Sequence, residues 1–99
     1  MSSYKEHMAA DARLVILRTL AKERDYRLNE TILTAALDSF GHRQSREWVR
    51  TQLRKLEVLG AVTLTEAGSV LVATVTRTGL DHLDLRTTIE GVLRPSPGD

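Results

Sequence analysis

At Gly60 the hydrophobic pattern of this chain changes period. Before that residue apolar side chains recur every three or four positions. Beyond it they alternate through Ala61-Val62-Thr63-Leu64-Thr65-Glu66 and again through Val70-Leu71-Val72-Ala73-Thr74-Val75, on either side of Ala67-Gly68-Ser69. A period near 3.6 belongs to a helix buried on one face, and a period of two to a half-buried strand. The chain is therefore helical first and a β-hairpin second, with small residues at the hairpin turn.

Two breaks divide the helical part. Met8, Ala12, Val15, Ile16, Thr19 and Leu20 predict a first helix over about Met8–Glu23, and Leu14 and Leu17 widen its apolar face beyond what one core contact uses. Such a face belongs either to a deeply buried helix or to a dimer surface. Arg24-Asp25-Tyr26-Arg27 interrupts the pattern. Asn29 is then a capping candidate, with Leu28 and Leu33 at the positions of a hydrophobic staple, and the stripe Leu33, Ala36, Leu37, Phe40 predicts a second helix from Glu30 to Phe40. Gly41 suits its end. Ser45 caps a third helix that runs to Leu59 on the stripe Val49, Leu53, Leu56, Leu59. After the hairpin, Thr76 opens a short fourth helix to about Arg86, with Leu80, Leu83 and Leu85 inward. Arg94-Pro95-Ser96-Pro97-Gly98-Asp99 has the composition of an extended tail, so the domain is placed at 1–90 and the tail at 91–99.

Helix, helix, turn, helix, hairpin is the order of a winged helix-turn-helix, an α+β and mainly helical fold. It has three helices, a two-stranded β-wing and here a short C-terminal helix. In such folds the third helix enters the major groove of double-stranded DNA. With Val49, Leu53 and Leu56 inward, Arg46, Arg50 and Arg54 share one outer ridge, flanked by Glu47, Thr51 and Lys55. From Gly41 to Lys55 the basic residues are Arg43, Arg46, Arg50, Arg54 and Lys55, against the single acid Glu47, although the whole chain carries only +1. Guanidinium groups donate bidentately to phosphates and guanine edges. Gln44, Arg46, Glu47 and Arg50 are therefore expected at bases, with Ser45 and Thr51 beside them, and Arg43, Arg54 and Lys55 at phosphates. The plainer reading is a solvated basic face with internal partners, such as Glu47 to Arg50 or Thr51. The runner-up function is a protein-interaction module, in which the same ridge meets an acidic partner. The wing tip has no Arg or Lys, and Glu66 repels the DNA backbone. Trp48, offset from the inward stripe, is expected at the junction of helix and wing, or alternatively on a partner or base-stacking surface.

No catalytic, cofactor or metal set emerges, and an enzyme is not expected. The chain has no cysteine, and His7, His42 and His82 lack the spacing of a metal site. Asp81 and Asp84 flank His82 on a segment that needs only be a charged outer face. There is neither a glycine-rich phosphate loop nor a nucleophile elbow. The runs Leu14–Leu17 and Val70–Ala73 fall far short of a membrane span, and the first residues, Met1 to His7, show no apolar signal region. A cytoplasmic protein is expected. At 99 residues it forms one domain, with no room for a second module sensing a small-molecule ligand.

Asp11-Ala12-Arg13-Leu14-Val15-Ile16-Leu17-Arg18, Leu28-Asn29-Glu30, Gly41-His42, Ser45-Arg46, Val49-Arg50-Thr51, Val72-Ala73-Thr74 and Arg94-Pro95-Ser96-Pro97-Gly98 carry a resemblance that spans nearly the whole chain. It resembles the short winged-helix proteins of Mu-like prophages, a family similar in turn to repressors of the ArsR type. The resemblance implies the winged-helix fold and a phage or prophage origin. A phage origin allows either gene regulation or a virion or replication accessory role. The basic third helix turns the expectation to a sequence-specific transcription regulator, with a phage accessory or assembly protein as the form of the runner-up. Metal-sensing repressors of that type use cysteine thiolates or clustered histidines, which this chain lacks. Many winged-helix repressors are homodimers through their terminal helices, which here implies Leu14 and Leu17, or Leu80 and Leu83.

Overall fold

In the computed structural model, which describes residues 3–96, every helix starts at a side chain that accepts a hydrogen bond from a backbone N–H in the first turn. Ser3 accepts from Glu6 (3.1 Å) ahead of α1 (Tyr4–Ala21), and Asn29 from Ile32 (2.9 Å) ahead of α2 (Glu30–Ser39). Ser45 accepts from Trp48 (3.0 Å) ahead of α3 (Arg46–Val58), and Thr76 from Gly79 (3.2 Å) ahead of α4 (Arg77–Leu83). Each cap satisfies one of the donors that a helix N-terminus leaves open. The first helix starts at Tyr4 rather than Met8 because Ser3 caps a first turn too polar to show in the apolar period.

The ends of α2, α3 and α4 share one device. Gly41 N–H donates to Asp38 O (3.0 Å) and His42 N–H to Leu37 O (2.9 Å), and Gly60 and Ala61 repeat the pair on Glu57 and Leu56. Gly41 and Gly60 hold φ of +92° and +79°, the left-handed position this motif requires. The end of α4 is built the same way, with Leu85 N–H on His82 O and Arg86 N–H on Asp81 O, but the left-handed residue is Leu85, at φ 62°. The fourth helix therefore stops at Leu83 rather than Arg86. Leu85 is exposed at the turn instead of facing inward.

The strands β1 (Arg27–Asn29), β2 (Val62–Ala67) and β3 (Val70–Val75) form an antiparallel sheet in the order β1-β3-β2. Leu28 and Leu64 lie on either side of Ala73. The expected two-stranded hairpin is thus a three-stranded sheet. A strand of three residues is too short for alternation to reveal, and Asn29 serves twice, closing β1 and capping α2.

The central element is α1, which touches the other three helices as well as β1 and β3. Its Ala12, Ile16 and Leu20 share one core with Leu37 of α2, Leu53 of α3 and Ala73 of β3. Leu14 and Leu17 are only 4% and 0% exposed within a single chain. The wide apolar face of α1 therefore belongs to the deeply buried helix, and these two leucines offer no surface to a second copy. Leu80 and Leu83 are half-buried against the same core.

The chain does not leave the domain at residue 91. Ile89, Val92 and Pro95 are buried, Leu93 N–H donates to Ala10 O (3.2 Å), and Arg13 Nη1 donates to Gly91 O (2.6 Å). The fully buried His82 clamps this return. Its Nδ1 accepts from Ile89 N–H (3.0 Å), so Nε2 carries the hydrogen and donates to Leu93 O (2.9 Å). The expected tail at 91–99 is thus corrected through residue 96, since the Pro and Ser composition gave no hint of the two buried apolar residues before it. Pro97, Gly98 and Asp99, like Met1 and Ser2, lie outside the described residues.

Candidate functional site

Four buried residues turn α3: Val49, Gln52, Leu53 and Leu56 face the interior, and Leu59 is half-buried just past its end. The opposite side carries Arg46, Arg50 and Arg54 on successive turns, with Glu47, Thr51 and Lys55 exposed beside them. Gln44 and Ser45 are exposed at its start. The residues singled out from the sequence do therefore share one surface, but the charge on it is different from the sequence count.

The fold brings carboxylates to these arginines from outside the segment. Arg46 Nε lies 3.7 Å from Glu30 Oε1, and Arg50 Nε 3.6 Å from Glu30 Oε2. Arg54 lies 3.5 Å from Glu57 and 3.7 Å from Glu66 on β2, and Arg43 3.6 Å from Asp38. Glu30, Asp38, Glu57 and Glu66, together with Glu47, match the five basic residues of the segment in number. The excess read along the sequence is largely cancelled in space. Glu47 is not the partner of Arg50; its backbone carbonyl accepts from the Thr51 hydroxyl (3.1 Å).

Glu30 differs from the other acids in being only 1% exposed, against 61% for Asp38 and 67% for Glu66. Its carboxylate accepts from Leu71 N–H on β3, and its place at the first residue of α2 sets it against the positive end of that helix dipole. Oε1 has no hydrogen-bond partner among the described residues. Removing a carboxylate from water is costly unless charge and donors replace the hydration. Here two guanidinium groups, one N–H and the helix terminus do so. One carboxylate between two cations leaves a net positive charge at the surface end of the pair. Sequence reasoning missed this role, because an acid in the first turn of a helix is already explained by the dipole.

A second polar group missed in the sequence lies inside. Arg13, 2% exposed, donates from Nε to Gln52 Oε1 (2.8 Å) and from Nη1 to Glu6 Oε1 (3.2 Å). The signal was a charged residue at a helical spacing of one turn from Ala9 and Leu17. Beside it a cleft of about 670 Å³ opens between α1 and α3, lined among others by Tyr4, Met8, His42 and Trp48. Trp48 thus faces the start of α1, rather than the junction with the hairpin of β2 and β3. His42 Nε2 lies 2.7 Å from Asp11 Oδ2, and His82 is committed to the chain's return, turned in from the flanking Asp81 and Asp84. Among the described residues no three His, Cys, Asp or Glu side chains gather as a metal site would need, and no helix is long and apolar enough to cross a membrane. The turn at Ala67-Gly68-Ser69 is exposed and carries no cation.

Over 90 residues the chain is 39% identical to gp26 of Escherichia phage Mu, an uncharacterized protein, covering 91% of this chain and 93% of gp26. The chain belongs to the family of phage Mu gp26. A further relative is an uncharacterized protein of Haemophilus influenzae, 42% identical over 76 residues, which are 76% of this chain and 74% of that protein. No family model and no solved structure matches. Membership in the gp26 family establishes the relationship to Mu-like phage, and neither relative's description assigns an activity to the surface of α3.

Proposed function

We propose that this chain is a winged helix-turn-helix protein that reads duplex DNA with α3 and regulates transcription in the cytoplasm of a phage-bearing host. The reading rests on one arrangement: an exposed arginine ridge on the second of two helices joined by a short turn, followed by an antiparallel hairpin. A helix so placed presents its N-terminal residues to base edges. Gln44, Arg46, Glu47 and Arg50 are then the base-reading residues, with Ser45 and Thr51 beside them, while Arg43, Arg54 and Lys55 take phosphates. A homodimer on a two-fold operator has Leu80, Leu83 and the exposed Phe40 to use, since Leu14 and Leu17 are consumed by the core.

The test is binding to duplex fragments, including the region upstream of the protein's own gene, at two salt concentrations. An Arg46→Ala, Arg50→Ala variant, checked for folding by circular dichroism, runs alongside. Sequence-dependent binding that weakens with salt and is lost in the variant supports the reading. No binding to any fragment at low salt removes it.

The second reading, a protein-interaction module, is favoured by the net charge of only +1 and by the wing tip without cations. It predicts an acidic protein partner and no affinity for DNA.

A further inference from the structure

We infer that Glu30 is a positioning residue for DNA recognition: its buried carboxylate holds Arg46 and Arg50 side by side, so that the pair meets a base edge in one geometry. The inference rests on the DNA reading above and adds to it a residue that touches no DNA.

The arginines of the surface fall into two groups by the acids that meet them. Arg43 and Arg54 face Asp38, Glu57 and Glu66, all themselves exposed, and exposed pairs of this kind fix little. Arg46 and Arg50 share a carboxylate that is 1% exposed and anchored by Leu71 N–H. Both are approached through Nε, the nitrogen nearest the stem. Among the described residues neither has another ion pair or side-chain hydrogen bond, and the two side chains remain 50% and 40% exposed. The terminal Nη groups are thus the part left for a ligand. A guanidinium held at its stem loses less rotamer freedom on docking than a free one, and it loses that freedom for one geometry only. Glu30 also ties that geometry to the start of α2, which packs on α3, and to β3 in the sheet. The two groups coincide with the division of labour proposed above, held arginines at bases and loosely paired ones at phosphates.

Glu30→Gln keeps an oxygen to accept from Leu71 N–H and removes the charge that holds the arginines. Against a selected fragment and random duplex, the variant is expected to lose at least about ten-fold in discrimination. Its affinity for random DNA should stay equal or rise, with a salt slope steeper by about 0.9 per phosphate gained. A merely structural role would lower both affinities together. As a readout that needs no variant, side-chain ¹⁵N relaxation of the free wild-type protein should give Nε order parameters above about 0.6 for Arg46 and Arg50 and below that for Arg43. Arginines 46 and 50 as mobile as Arg43, or an unchanged discrimination ratio in Glu30→Gln, overturn the inference and leave the DNA reading standing. Wild-type binding that is equal on every fragment overturns it too, since nothing is then being read. Wild-type protein that binds no DNA removes the DNA reading itself, and this inference with it.

Discussion

Arg13 and Gln52 meet at the buried wall of the cleft between α1 and α3, Nε to Oε1 at 2.8 Å, and so join the two helices through a polar contact. The same guanidinium reaches Gly91 O, so three distant parts of the chain depend on one side chain. Arg13→Ala strands the buried Gln52 oxygen and frees the Gly91 carbonyl, and an unsatisfied buried group costs about 1–3 kcal/mol. With the lost packing, a loss of about 2–4 kcal/mol is expected in urea unfolding. Arg13→Lys should recover little of it, because an ammonium lacks the fork that serves both acceptors.

Arg46 and Arg50 are the counter-charge of a carboxylate that water barely reaches. Replacing both with Ala leaves Glu30 buried and uncompensated. A fully buried pair broken in this way costs about 3–5 kcal/mol, and the half-exposed arginines reduce that to about 2–3 here. Adding Glu30→Gln to the double variant should restore at least half of the loss. Denaturant midpoints of the single, double and triple variants form the cycle that measures the coupling, and strictly additive losses would count against it.

Gly79 lies where α4 crosses the sheet, and a Cβ there would stand 2.6 Å from both Ala61 O and Val75 Cγ2. Alanine is the better helix former by about 1 kcal/mol. The backbone oxygen cannot move aside, however, and overpacking costs about 1–3 kcal/mol. Gly79→Ala should therefore lower the thermal midpoint. A rise would show that helix propensity outweighs the clash.

Leu85 occupies the left-handed position that Gly41 and Gly60 fill at the ends of α2 and α3. A side chain there costs about 1 kcal/mol. Leu85→Gly should raise the melting midpoint by about 4 °C, less whatever its partial burial contributes. Gly60→Leu should lower it.

The helices, the caps Asn29, Ser45 and Thr76, and the hairpin were legible because each is local: a period, a capping side chain and a glycine in the right order. The cap Ser3 was not, since the turn that follows it carries no apolar period. The start of α3 at Ser45 and its inward Val49, Leu53 and Leu56 needed nothing else. The third strand was not legible, since Arg27–Asn29 acquires its meaning only from Thr74, Ala73 and Val72 across the sheet. The site was half legible. The spacing of Arg46, Arg50 and Arg54 gave one face, but their charge balance depends on Glu30 and Glu66, which only the fold brings near. Likewise, Leu14 and Leu17 looked spare for a dimer because Ile89 and Val92, which share the core with them, stand at the other end of the chain.

That distance has a consequence for synthesis. The N-terminal helix is made first, yet the core it belongs to is completed by residues 89–95, with His82 holding them in place. A chain ended at residue 88 would carry the sequence of every helix and strand but would lack Ile89 and Val92, which belong to the same core as α1. Closure of the core therefore waits for residues 89–95 to leave the ribosome, and a product ended before them would be open to proteases for as long as it lasts.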